Sequence, residues 1–142
     1  MNDALFSSKS DEWATPKEVF NELNNEFRFD IDVASTDQNA LCKRHFTASE
    51  NGLIQDWGGC SVWCNPPYSQ VGRWVRKCYE ERNNAKSIVL LIPSRTDTRW
   101  FHEFIYGVAE VRFIKGRLKF SGSKNSAPFP SMIVIYRRYE TQ

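Results

Sequence analysis

The chain has 142 residues, 41% of them hydrophobic and 14% aromatic, which is enough for one domain with a sizeable core. Its formal net charge of +2 is too small to imply nucleic-acid binding from charge alone. No apolar stretch nears the roughly 18 residues of a membrane span and no charged-then-apolar leader opens the sequence, which argues against a membrane protein and for a cytoplasmic one.

Residues 1–10 are small and polar and read as a loose N-terminus. Residues 11–142 read as a single domain without linker, repeat or low-complexity tract. The stretch "WATPKEVFNELNNEF" opens a helix: Thr15 suits the N-cap, Pro16 the first helical position, and Glu18 completes a Thr-x-x-Glu capping box. Val19, Phe20, Leu23 and Phe27 follow on one face.

"FRFDIDVAS" reads as a strand with Phe29, Ile31 and Val33 inward and Asp30 and Asp32 on the other, solvated face. Asn39 to Phe46 reads as a short helix leading into an extended piece near Phe46, and "SENGLIQDWGG" as loop. Ser61 to Cys64 is a second strand, stopped by two prolines. Ser69 suits the cap of a helix carrying Val71, Trp74, Val75 and Cys78. "SIVLLIP" is a continuous apolar run, the mark of a strand covered on both faces. A helix is expected from about Asp97 to Tyr106, then "EVRFI" and "RLKF" as a hairpin turned at "KG", and "SMIVIYR" as the last strand.

Strands alternating with helices imply an α/β fold: a mostly parallel sheet with helices on both faces, and an antiparallel hairpin at one edge. Ligands in such sheets sit beyond the carboxyl ends of strands, where Asn65-Pro66-Pro67-Tyr68 and Pro93-Ser94-Arg95 fall. Cys42, Cys60, Cys64 and Cys78 are read as reduced thiols. With His45 they lack the two-residue spacing of a zinc knuckle, so no metal site is expected. The last third is rich in Arg and Lys, consistent with either a nucleic-acid face or a solvated surface.

The tetrapeptide Asn65-Pro66-Pro67-Tyr68 carries the most specific chemistry. An exocyclic amine or amide nitrogen is a poor nucleophile because its lone pair is delocalised. Two acceptors aimed at its N–H groups free that pair. The Asn65 side-chain oxygen is one and the Pro66 carbonyl, stiffened by the following Pro67, is the other. Tyr68 offers a flat stacking face, as needed for a base extruded from a duplex. By chance this tetrapeptide arises in roughly one chain of this length per few thousand.

These residues resemble the catalytic motif of amino-methyltransferases that use S-adenosylmethionine. The whole chain is similar to the phage-type DNA N-6-adenine methyltransferases. The shared features are Trp13-x-Thr15-Pro16, Phe29-Asp30-Ile31-Asp32-Val33-Ala34, Gly52-Leu53, Asp56-Trp57 and Trp63 to Ser69. Leu91-Ile92-Pro93, Thr96-x-Thr98-x-Trp100-Phe101, Gly116 to Phe120 and Ala127 to Ser131 complete them. The resemblance implies a Rossmann-like class I methyltransferase sheet and S-adenosylmethionine as cofactor. It implies Trp13, Thr15, Pro16, Asp32, Val33, Ala34, Phe46, Thr47, Asp56, Trp57 and Asn65 as the cofactor pocket. Asp32 would face the methionine ammonium, in place of the usual glycine-rich loop, and Asp56-Trp57 the adenine. Phe46 and Trp57 also suit a plain core role.

Ser69, Arg73, Arg95, Thr96, Arg99, Lys115 and Arg117 are the candidates for DNA, taken as duplex. The chain is short, with no evident target-recognition domain, so specificity would come from loops, from a homodimer partner, or be relaxed. Asparagine opening the motif is also the form used on protein glutamine amides. That leaves glutamine or RNA amines as alternative substrates, and a non-catalytic DNA-binding protein as an alternative class.

Overall fold

The computed structural model describes residues 13–138, so the expected loose N-terminus at 1–10 lies outside the described residues. Helix α1 (Lys17–Phe27) forms as its apolar spacing predicts, burying Phe20, Leu23 and Phe27. It stops at Arg28, which adopts a left-handed φ of 54°. This conformation costs a side-chain-bearing residue about 1 kcal/mol or more. Asn24 offsets it by accepting twice: its carbonyl from Arg28 N at 2.9 Å and its side chain from Phe29 N at 2.9 Å. The expected capping box is not made. Pro16, whose ring has no acceptor, stands at the N-cap, and the Thr15 hydroxyl, one residue outside it, accepts from Asn65 instead.

Five strands follow: β1 (Ile31–Asp32), β2 (Ser61–Cys64), β3 (Ser87–Pro93), β4 (Glu110–Phe113) and β5 (Ser131–Arg137), in the spatial order β1-β2-β3-β5-β4. The first three are parallel, and β5 runs antiparallel to both β3 and β4. The mixed α/β sheet is therefore parallel at the β1 side and antiparallel at the other.

Alternation within the strands distributes side chains to two apolar layers. Val62, Cys64, Ile88, Leu90, Ile92, Met132 and Val134 face helices α2 (Val71–Glu81) and α3 (Arg99–Phe104), against Trp74, Val75, Cys78 and Phe101. Trp63, Val89, Leu91, Ile133 and Ile135 face α1 and the loop residues Phe120 and Ala127. All seven residues of β3 are buried, which is why "SIVLLIP" shows no polar alternation. Each such aliphatic side chain contributes roughly 1.5–3 kcal/mol. Among the described residues no helix is long and apolar enough to cross a membrane.

Three local expectations are corrected. Residues 39–44 form a turn and bends, not a helix, while the extended piece expected near Phe46 is present as a parallel bridge of His45 to Asp32. Thr36 and Asn39 exchange side-chain-to-backbone bonds of 2.7 and 3.1 Å, a local arrangement that competes with helix formation. "RLKF" is not a strand, and the antiparallel partner of β4 is β5. Leu118 and Phe120 instead pack into the layer beneath α1. Ser69 does not cap α2: residues Tyr68–Gln70 make a 3₁₀ turn that runs straight into the helix, whose N-cap Gln70 makes no side-chain bond.

Candidate active site

A cavity of about 640 Å³ opens beyond the carboxyl ends of β1 and β2, within the size range of small-molecule sites. Its walls come from several separate stretches of the sequence. The segment before α1 contributes Trp13 and Thr15, and the end of β1 contributes Asp32, Val33 and Ala34. The loop after it contributes Phe46 and Thr47, and the motif contributes Asn65 and Pro67. Arg73, expected on the nucleic-acid side, also lines it. Pro16, Pro66, Tyr68, Asp56 and Trp57 do not.

Asn65 is the polar centre. Its side-chain Nδ2 donates to the Trp13 carbonyl at 2.5 Å and to Thr15 Oγ1 at 3.0 Å. Its Oδ1 is buried and has no hydrogen-bond partner among the described residues. A buried acceptor without a donor costs about 1–3 kcal/mol, and here the residue that carries it lines a cavity. Pro66 is buried. Pro67, with ψ of 126°, turns the chain into the 3₁₀ turn.

Tyr68 lies behind the motif. Its ring meets Phe129 and Phe120 edge-on at 5.5 and 6.3 Å, and its hydroxyl donates to the Leu91 carbonyl at 3.4 Å. Burial pushes the phenol's pKa well up. Tyr68 itself is half-buried, while Trp13, edge-on to Phe120 and Phe129 at 5.3 and 5.1 Å, stands at the cavity wall.

Asp32 is 3% exposed, which overturns its reading as a solvated carboxylate; Asp30 is the exposed member of the pair. The Asp32 carboxylate accepts from Ala34 N at 3.3 Å and Leu41 N at 3.0 Å. Burial raises its pKa, opposed by those two N–H donors and by His45. A buried carboxylate beside a cavity is a natural counter-charge for a cationic ligand group. The loop that supplies Leu41 N is clasped by His45, whose Nε2 lies 2.7 Å from Asp37 Oδ1 and whose Nδ1 lies 2.9 Å from the Lys43 carbonyl.

Asp56 and Trp57 sit outside the cavity. Exposed Asp56 accepts from Gly58 N and from Asn84 Nδ2, both at 2.8 Å, and the Gly58 bond, then Asn84, lowers its pKa. Trp57 is fully buried and donates through Nε1 to the Gly52 carbonyl at 3.0 Å, so it supports the wall from one layer beneath. Among the nucleic-acid candidates, Ser69, Arg95, Thr96, Arg99, Lys115 and Arg117 are exposed. Arg95, Thr96 and Arg99 follow the carboxyl end of β3, next to that of β2.

Wall residues that sequence reasoning did not assign include Ser35, Thr36, Asn39, Leu41, Asn51 and Gln70. The stretch around Leu41 was hidden by its reading as a helix. Gly52, by contrast, carried a readable signal as a glycine in the shared Gly52-Leu53 pair.

Residues 3–142 match the family model described as DNA N-6-adenine-methyltransferase (Dam). A DNA N-6-adenine-methyltransferase of Escherichia phage T1 is 34% identical over 110 residues, covering 76% of this chain and 46% of the phage protein. One of Haemophilus phage HP1 is 29% identical over 138 residues, covering 91% of this chain and 80% of its own. The chain therefore spans less than half the length of the first of these relatives.

Proposed function

The chain belongs to the DNA N-6-adenine-methyltransferase (Dam) family, and from that membership we propose that it transfers a methyl group from S-adenosylmethionine to N6 of adenine in duplex DNA. The observation that carries this reading is the partnerless Oδ1 of Asn65, buried in a residue that lines a cavity of about 640 Å³. An amine presented there donates one N–H to Oδ1 and the other to the Pro66 carbonyl. The lone pair is drawn out of ring conjugation and toward the incoming carbon.

The donor set fits the cofactor. Asp32 faces its ammonium, a match of buried carboxylate to cation, and Trp13, Thr15, Val33, Ala34, Phe46 and Thr47 enclose it, with Pro16 shaping the entry to α1. When bound, S-adenosylmethionine supplies a methyl on an already activated sulfonium. The work left to the protein is orientation and exclusion of water, effects large enough to carry much of a barrier. Asp56 and Trp57 are left out of the contact set because they lie outside the cavity. The sheet is read as that of a Rossmann-like class I methyltransferase, supported by a site beyond the carboxyl ends of its parallel strands.

The target adenine reaches such a recessed acceptor only after extrusion from the duplex. Ser69, Arg95, Thr96, Arg99, Lys115 and Arg117 then meet phosphates, with Arg73 at the cavity rim. One domain, 11–142, performs the reaction in the cytoplasm of a host cell.

The test is tritiated methyl transfer from S-adenosylmethionine to unmethylated duplex DNA, with the digested nucleosides analysed. Label in N6-methyladenine, reduced at least a hundredfold in Asn65→Ala, is the expected result. Label in RNA or in protein glutamine would move the same chemistry to another substrate. No label in any of them, with cofactor bound, would overturn the catalytic reading.

A further inference from the structure

We propose that the Asn65 amide is oriented by a two-point clamp, the Trp13 carbonyl and the Thr15 hydroxyl, and that this clamp makes a carboxylate unfit at position 65. The proposal rests on the reading of Asn65 Oδ1 as the acceptor for the target amine, and assigns Thr15 as a positioning residue.

A carbonyl oxygen only accepts, so the atom 2.5 Å from the Trp13 carbonyl must be the NH₂ end of the amide. That contact fixes the flip of the side chain and sends Oδ1 the other way, to the position where it has no partner. Thr15 Oγ1, at 3.0 Å from the same nitrogen, takes its second proton. The clamp is stiff because its own backbone is tied down. The Ala14 carbonyl accepts from Ser121 N at 2.9 Å, and the Thr15 carbonyl accepts from Ser121 Oγ at 3.0 Å. Trp13 is held edge-on by Phe120 and Phe129.

Aspartate has the same shape as asparagine but two acceptors in place of one acceptor and one donor. Ionised, it would set a carboxylate oxygen against the Trp13 carbonyl with no proton between them. Thr15 can turn its hydroxyl to donate, but the carbonyl cannot adapt. Protonated, the carboxyl donates to that carbonyl and the native geometry returns. The clamp therefore raises the pKa of any carboxyl at this position and disfavours its ionised form. The charged and titratable groups nearby are Asp32 and Arg73 on the cavity wall, and the Tyr68 phenol and Cys64 thiol behind the motif. Burial holds the last two neutral, and all four are common to wild type and variant.

The first arm needs no DNA. Melting temperatures of wild type and N65D are compared from about pH 4 to about pH 9. The curves are expected to converge toward about pH 4, near the pKa of an unfolded aspartate. As pH rises N65D should fall progressively, to roughly 5–10 °C below wild type, because the carboxyl ionises freely in the unfolded chain but not in the clamp. Parallel curves would overturn the clamp. The second arm measures methyl transfer by T15V and T15S. T15V is expected to lose about tenfold in kcat, a larger change than any rise in KM for S-adenosylmethionine from its place on the cavity wall, and T15S to restore kcat. A raised KM with unchanged kcat would leave Thr15 as a cofactor contact alone and overturn its positioning role. Should wild type methylate no DNA, the proposed function falls, while the melting curves still decide the clamp.

Discussion

A Cβ built on Gly52 would lie 2.2 Å from the carbonyl oxygen of Val33 and 3.0 Å from the Trp74 ring. The backbone after Asn51, itself left-handed at φ 56°, passes directly over the end of β1, and only hydrogen fits between them. This approach closes the cavity on the side of Val33 and Ala34. Gly52→Ala is therefore expected to push the 3₁₀ turn (Gly52–Ile54) away from β1. A loss of about 1–3 kcal/mol in stability should accompany weaker cofactor binding. Calorimetric titration with S-adenosylmethionine alongside a thermal melt checks both; unchanged affinity would mean that the wall is not part of the binding surface.

The His45 clasp titrates. Both ring nitrogens face acceptors, Asp37 Oδ1 and the Lys43 carbonyl, so the doubly protonated ring satisfies both. The Asp37 bond, first, and then the Lys43 bond raise its pKa above 6.5. A raised folded-state pKa contributes stability that is complete below the unfolded value and disappears as pH rises through the folded one. Asp37→Asn should lower the melting temperature at about pH 6 and have no effect at about pH 9. The partner is exposed, so the difference at acid pH is small. A pH-independent difference would sink the titration account.

Glu26 joins α1 to the antiparallel half of the sheet. Arg112 grips it with two bonds of 2.7 and 2.8 Å, and Arg137 adds a third at 3.0 Å. The Arg112 bond, with Arg137, lowers its pKa from 4.5 to about 2 against a modest burial penalty. This stability is present above about pH 4.5 and lost as pH falls toward 2. Because the pair is more than a third exposed, screening leaves about 1 kcal/mol or less. Glu26→Gln should cost that much at neutral pH in low salt and nearly nothing in about 1 M salt. A salt-independent loss would point to packing instead.

Lys115 and Arg117 are exposed on the segment 114–130, whose residues Phe120, Ser121 and Phe129 brace Trp13 and Thr15. If both meet phosphates, the double variant Lys115→Ala/Arg117→Ala should bind duplex DNA more weakly. Its slope of log affinity against log salt should be shallower by about 2. Cofactor affinity should not change. An unaltered slope would leave the two cations as solvated surface.

Much of the frame was readable in the sequence. The apolar spacing of α1, the run that becomes β3 and the strand stopped by Pro66-Pro67 each have a local cause, and each appears where expected. Misreadings fell where tertiary partners outbid local preference. Thr15 has every feature of a helix cap, yet Asn65, fifty positions along the chain, takes its hydroxyl. Asp32 alternates like a solvated residue, but a loop folds over it and its carboxylate is satisfied by backbone N–H groups.

By itself the sequence determined the α/β layering, through hydrophobic period, and, through its motifs taken together, the DNA N-6-adenine-methyltransferase (Dam) family. Only the tertiary structure decided which way the Asn65 amide faces, that Tyr68 meets Phe120 and Phe129 edge-on, and that Asp56 lies outside the cavity. The reason is physical. Period and propensity are properties of neighbours along the chain, whereas hydrogen-bond partnership and access to a cavity depend on groups that only folding brings within 3 Å of one another.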